Sequence, residues 1–141
     1  MGVRRQLFYE IEGANRALPL VRAIVRDVVS EFRVLRGTGR QYRALRAKQH
    51  PDAVTRQRIE KLRREVDRIT TRVEGFVREL DDLGIALRNV ETGSVDFPTI
   101  MHGLPAYLCW RLGENDVGWW HAATAGYASR QRLPEETRAS V

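Results

Sequence analysis

Five side chains in the C-terminal half are of types that bind a metal ion or move protons: Asp96, His102, Cys109, Glu114 and His121. Imidazole, thiolate and carboxylate are the ligands of zinc and iron, and a Glu–His pair can serve as general acid and base. Their spacing matches no compact metal signature, since HExxH, CxxC and HxH are all lacking. The plain alternatives are a half-buried His121 hydrogen-bonded to backbone or carboxylate, and a Cys109 that is a small core residue. A second group is aromatic. Trp110, Trp119 and Trp120 fall within eleven residues, with Tyr107 and Tyr127 nearby. Such a surface holds a planar ligand or a partner's side chain, or else it is the core of a small sheet. Arg111 and Arg130 can clamp a carboxylate or phosphate, or pair with Asp96 or Glu114.

The elements that must position these groups are short strands. Ile85 to Val90 reads as a strand and Glu91 to Pro98 as a loop. Leu104 to Leu112 and Val117 to Ala123 read as a hairpin around the turn residues Gly113 to Asp116. With a two- or four-residue loop, Leu108, Trp110, Leu112 and Glu114 share a face with Val117, Trp119 and His121. Tyr107, Cys109 and Arg111 then share the other with Gly118 and Trp120. A three-residue loop or a bulge inverts the assignment, because one residue of slip flips every side chain. Under the first register Cys109 and His121 cannot hold one ion. The metal set is then Asp96, Glu114 and His121. The ligand-binding set is Asp96, Trp110, Glu114, Trp119, Trp120, His121 and Arg130.

Two long segments precede the strands. The first carries Ile11, Ala14, Leu18, Val21, Val25, Val28, Phe32 and Leu35; the second carries Ile59, Leu62, Val66, Ile69, Val73, Phe76, Leu80 and Leu83. Both alternate spacings of three and four, which puts each set on one stripe of a coiled-coil helix. The stripes match when run antiparallel, from Ile11 opposite Leu83 to Leu35 opposite Ile59. The fold expected is α+β: a long antiparallel two-helix coiled-coil hairpin with a small antiparallel β-sheet at its base. Glu10 is placed to cap the first helix, Asp52 the second, and Gly84 to end the second. Pro19 should kink or restart the first helix, and Gly37, Thr38 and Gly39 should break it. His50, Pro51 and Asp52 mark a second break. Leu20 and Ile24 form an off-seam stripe that needs a cover, from the C-terminal part or from a second copy in a homodimer. Residues 1–130 read as one domain, with the hairpin over 8–83, an Arg-rich tip at 36–50 and the β element over 84–130. Residues 131–141 read as a flexible tail.

The chain has 141 residues and a net charge of +6, from 24 basic and 18 acidic residues. Only Lys48 and Lys61 are lysines. Residues 1–48 carry a net +7, residues 49–83 are neutral, and residues 84–141 carry −1. The densest positive stretch is Arg33, Arg36, Arg40, Tyr42, Arg43, Arg46 and Lys48, a surface for RNA phosphates or any acidic partner, or simply a solvated arm. The seam places that tip roughly 36 Å from the β element. No apolar run approaches a membrane span, the N-terminus lacks a secretory signal, and a single cysteine excludes an internal disulfide framework. A cytoplasmic protein is expected. The phosphate-loop, nucleophile-elbow and dinucleotide fingerprints are all missing, and no cofactor is assignable.

Three stretches carry a family resemblance: FYEIEGANRALPLV (8–21), LDDLGIALRNVETGSVDFP (80–98) and GLPAYLCWRLGENDVGWWHAATAGYASR (103–130). The chain resembles the bacterial domain-of-unknown-function family 2203 over nearly everything outside the tip and the tail. The resemblance implies a cytoplasmic bacterial two-helix-plus-sheet domain. It draws attention to Glu12, Asn15, Asp96, Pro98, Cys109, Trp110, Gly113, Glu114, Trp120, His121, Gly126 and Arg130, without giving them roles. The chain departs from the family pattern just after Phe8, where Tyr9 and Glu10 stand in place of an aromatic and a Thr or Ser cap. The function expected is a non-catalytic protein-interaction or adaptor module. The alternatives are a small-ligand or metal-binding domain, possibly enzymatic, built on Asp96, Glu114, His121 and the tryptophans, and RNA binding through the tip.

Overall fold

A computed structural model describes residues 7–134. Two helices, α1 (Ile11–Arg46) and α2 (Ala53–Asp82), pack against each other. Five strands follow: β1 (Ala86–Asn89), β2 (Ser94–Met101), β3 (Leu104–Arg111), β4 (Trp119–Ala122) and β5 (Gln131–Arg132). They form one antiparallel sheet in the order β1-β2-β3-β4-β5, so every connection is to a neighbour. The α+β reading holds.

Local chemistry explains most boundaries. Asp52 caps α2, its carboxylate accepting the Thr55 N–H at 2.8 Å. Gly84 follows α2 with φ +74°, the left-handed conformation that ends a helix. Glu10 occupies the N-cap position of α1 without a side-chain cap hydrogen bond. The break expected at Gly37–Gly39 does not occur, and the helix does not restart at Pro19. Helix α1 runs unbroken for 36 residues through Pro19 and through Gly37–Thr38–Gly39. Each glycine costs about 1 kcal/mol of helix propensity, and good helix formers on either side absorb it. Pro19 lies on the exposed side of α1.

The segment 91–98, expected as a loop, is largely strand. Pro98 disguises it, because proline cannot donate to a ladder and normally marks an edge. Here β1 pairs with β2 only as far as Asp96, so Pro98 has a free flank, and its carbonyl accepts the Tyr9 N–H at 2.7 Å. The β2–β3 connection is the two-residue turn His102–Gly103, both with positive φ, as hairpin turns of this length require.

The sheet's helix-facing side carries Val95, Phe97, Leu108 and Trp110, packed with Ala14, Leu18, Val21, Ile24, Val25, Val28 and Val29 of α1. Ile24 is therefore covered within the chain, which removes it from the proposed dimer face; Leu20 stays exposed. The sheet lies along α1 rather than only at the hairpin's open end. Gly93 sits against Val25 and Val29, and Arg36 pairs with Glu91 of the β1–β2 turn at 3.2 Å. The expected separation of tip and sheet thus fails at Arg36. Residues 131–133, expected in the tail, belong to the fold. Leu133 is buried in the core, with its N–H donated to Gly118 at 2.8 Å. Of the expected tail, residues 135–141 lie outside the described residues.

Candidate functional site

The face of the sheet turned away from the helices is polar. The β3–β4 register pairs Tyr107 with His121 and Cys109 with Trp119, and β2–β3 pairs Asp96 with Cys109. The loop between β3 and β4 spans seven residues, an odd number, so the expected face assignment is inverted. Cys109 and His121 point to the same side. Asp96, Cys109 and His121 are all buried, and one ligand atom of each lies within 4.8 Å of the others.

The bonding within this group is specific. His121 Nε2 is 3.1 Å from Asp96 Oδ2, and His121 Nδ1 is 2.9 Å from the Ala122 carbonyl oxygen. Arg88 Nε donates to the same Asp96 Oδ2 at 2.9 Å, while its guanidinium lies over the Tyr107 ring at 5.1 Å. The Cys109 thiol contacts the Tyr107 carbonyl at 3.8 Å. Burial, and then the Asp96 carboxylate beside it, push the Cys109 thiol far above its ordinary range.

Glu114 stands apart from this group. Its carboxylate takes both Arg130 Nη groups, at 3.1 and 3.4 Å, and accepts the Arg111 N–H at 2.8 Å. Arg130 is stacked against Trp119 at 4.3 Å and Tyr127 at 4.6 Å. Both groups are thus committed to holding the segment after β4, including the single 3-10 turn Tyr127–Ser129, back across the polar face. Arg130 pairs with Glu114, the internal alternative to clamping a ligand. The tryptophans are divided. Trp110 is fully buried among the helix-facing side chains, its Nε1 donating to the Glu114 carbonyl at 2.9 Å, and Trp120 packs against the same core. Trp119 is on the polar face. They do not form one aromatic pocket. His102 is an exposed turn residue beside the Trp120 ring, at 6.1 Å between centroids.

Between the polar group and the returning segment lies a cleft of about 370 Å³, lined by Arg88, Asp96, Tyr107, His121, Ala123, Ala125, Gly126 and Tyr127. A smaller one of about 220 Å³ shares Arg88 and Tyr127 and adds Arg111. The Tyr127 hydroxyl is shielded from solvent and has no hydrogen-bond partner among the described residues. Arg88 was not among the residues the sequence singled out; the signal that points to it is its period-two relation to Ala86, the residue paired with Asp96.

The arm is simpler. Arg33, Arg40, Arg43, Arg46 and Lys48 are exposed. Arg36 is bound to Glu91, and Arg46 donates to the Tyr42 hydroxyl at 2.9 Å. No helix among the described residues is long and apolar enough to cross a membrane.

Fold and site together define a two-helix α+β protein whose sheet buries a polar cluster on its helix-free face. The chain belongs to the family described as "Uncharacterized conserved protein (DUF2203)", which matches residues 7–133. No curated protein and no solved structure matches it.

Proposed function

We propose that this protein is a small-ligand-binding domain that takes an anionic ligand in the cleft over the sheet's polar face. One observation carries the reading: a cleft of about 370 Å³ opens onto the buried Asp96 and His121, with Arg88 at its wall. A sheet face that served stability alone would be apolar, because buried polar groups contribute little net and are costly when left unmatched. The guanidinium of Arg88 at the cleft wall suits a ligand that carries oxygen acceptors. The test is thermal stabilisation by inorganic phosphate and by malonate. A saturable rise in Tm that is lost in Arg88→Ala supports the cleft. No rise with any small anion tried counts against it.

A second reading rests on the arm, where Arg33, Arg40 and Arg43 are exposed. An interaction module of this kind loses its partner when these three are reversed to Glu and keeps it in His121→Ala. If the partner is RNA, affinity falls steeply with salt.

A further inference from the structure

His121 stands between two oxygen acceptors, the Ala122 carbonyl and Asp96 Oδ2, so its Nε2 faces Asp96 through either a proton or a metal ion. The Ala122 carbonyl can only accept a hydrogen bond, so the Nδ1 of His121 facing it at 2.9 Å carries the ring proton. Nε2 then either carries a second proton and donates to Asp96, or binds a cation in that proton's place. Nε2 points at Asp96 Oδ2, 3.1 Å away. The sulfur of Cys109 closes the triangle. Three electron-rich atoms, one each of N, O and S, converge in a buried place. A backbone carbonyl meanwhile fixes the histidine tautomer as it does for metal-bound histidines.

We propose that Asp96, Cys109 and His121 form a three-ligand site for a divalent ion of the zinc class. Mixed nitrogen, sulfur and carboxylate ligation at this spacing suits zinc, cobalt or ferrous iron and not magnesium or calcium, which want oxygen alone. On binding, the Cys109 sulfur releases its proton to solvent and forms the metal–sulfur bond. The Nε2 lone pair and an Asp96 oxygen fill two further positions. Asp96 and His121 also line the cleft, so the fourth position opens into it. Three protein ligands plus an open position is the arrangement of a reactive site rather than a purely structural one.

Charge then specifies the occupant. A divalent ion balanced by one carboxylate and one thiolate is neutral. Arg88, held at 2.9 Å from Asp96 Oδ2, leaves the neighbourhood at +1. The fourth position therefore favours an anion: hydroxide at rest, or an oxyanion or carboxylate of the ligand. This deepens the proposed function and rests on it only for the identity of that fourth ligand.

The test is titration of the full chain, stripped with a chelator, with cobalt(II). The expected result is one equivalent bound with a thiolate-to-cobalt charge-transfer band, displaced by zinc. Cys109→Ser is expected to lose the band while keeping the fold by circular dichroism, and His121→Gln to weaken binding. A folded wild-type protein without the band overturns the proposal, and so does a band that survives in Cys109→Ser. The two readings fail separately. Phosphate stabilising the stripped protein without a cobalt band rejects the metal and keeps the cleft. A cobalt band without any anion effect rejects the cleft and keeps the metal.

Discussion

The two faces of one sheet are built from alternating residues of the same strands, and they do opposite work. Along β2 and β3, Val95, Phe97, Leu108 and Trp110 enter the core against α1, while Asp96 and Cys109 turn to the other side. The helix face gains by removing apolar surface from water, in rough proportion to area. The far face buries a carboxylate, a thiol and an imidazole and gains little by it. The difference teaches where to look for function. Groups that stability does not need, placed where burial is costly, mark the place to test for a ligand.

That division breaks if the faces respond alike to substitution. The largest effect should come from Phe97→Ala, which leaves a hole beneath the helices and costs about 3–5 kcal/mol in urea unfolding. A loss near 1 kcal/mol would mean that α1 does not cover this face as described. Next is Gly93→Ala. Its φ is +73°, and a Cβ there would lie 2.8 Å from Val25 and 2.9 Å from Leu112. Roughly 2–3 kcal/mol of destabilisation is expected, measured in the same way.

Across the sheet, Cys109→Ala should cost only about 1 kcal/mol at neutral pH. It should also change the pH dependence of the stripped protein. A thiol whose folded pKa is raised holds its proton after the unfolded chain has released it. Stability is therefore level below the ordinary thiol range, near pH 8.5, and declines above it. Unfolding curves taken between pH 8 and 10.5 should lose that thiol-linked decline in Cys109→Ala. An unchanged slope would show that the thiol is not buried as described. The smallest effect belongs to the arm, which has neither face. A Cβ at Gly37 meets nothing within 4 Å. Gly37→Ala should stabilise by about 0.5–1 kcal/mol, seen as a higher Tm.

The two helices and their apolar stripes were legible because 3–4 spacing is strong over eight positions in each. Asp52 and Gly84 were legible because caps have specific chemistry. The candidate site was legible as residue types and not as a constellation. Its assembly depended on the parity of the loop between Arg111 and Trp119, and seven residues rich in Gly, Asn and Asp do not declare their conformation. Pro98 hid β2 because its tolerance depends on where β1 stops, a fact of the neighbouring strand. Glycines 37 and 39 suggested a break because local propensity does not register the helix packed alongside. Leu133 read as tail because two residues of strand and one anchor carry almost no periodic signal.

The meander order of the sheet has a consequence for synthesis. Neighbouring strands are adjacent in sequence, yet the contacts that close the molecule span nearly the whole chain. Asn15 Oδ1 accepts the Val117 N–H at 2.9 Å, and Leu133 joins the same core as Ala14. Until the strands are made, the apolar stripe of α1 that the sheet covers stays wet. A chain stopped after α2 leaves Leu18, Val21 and Val25 without the sheet residues that cover them.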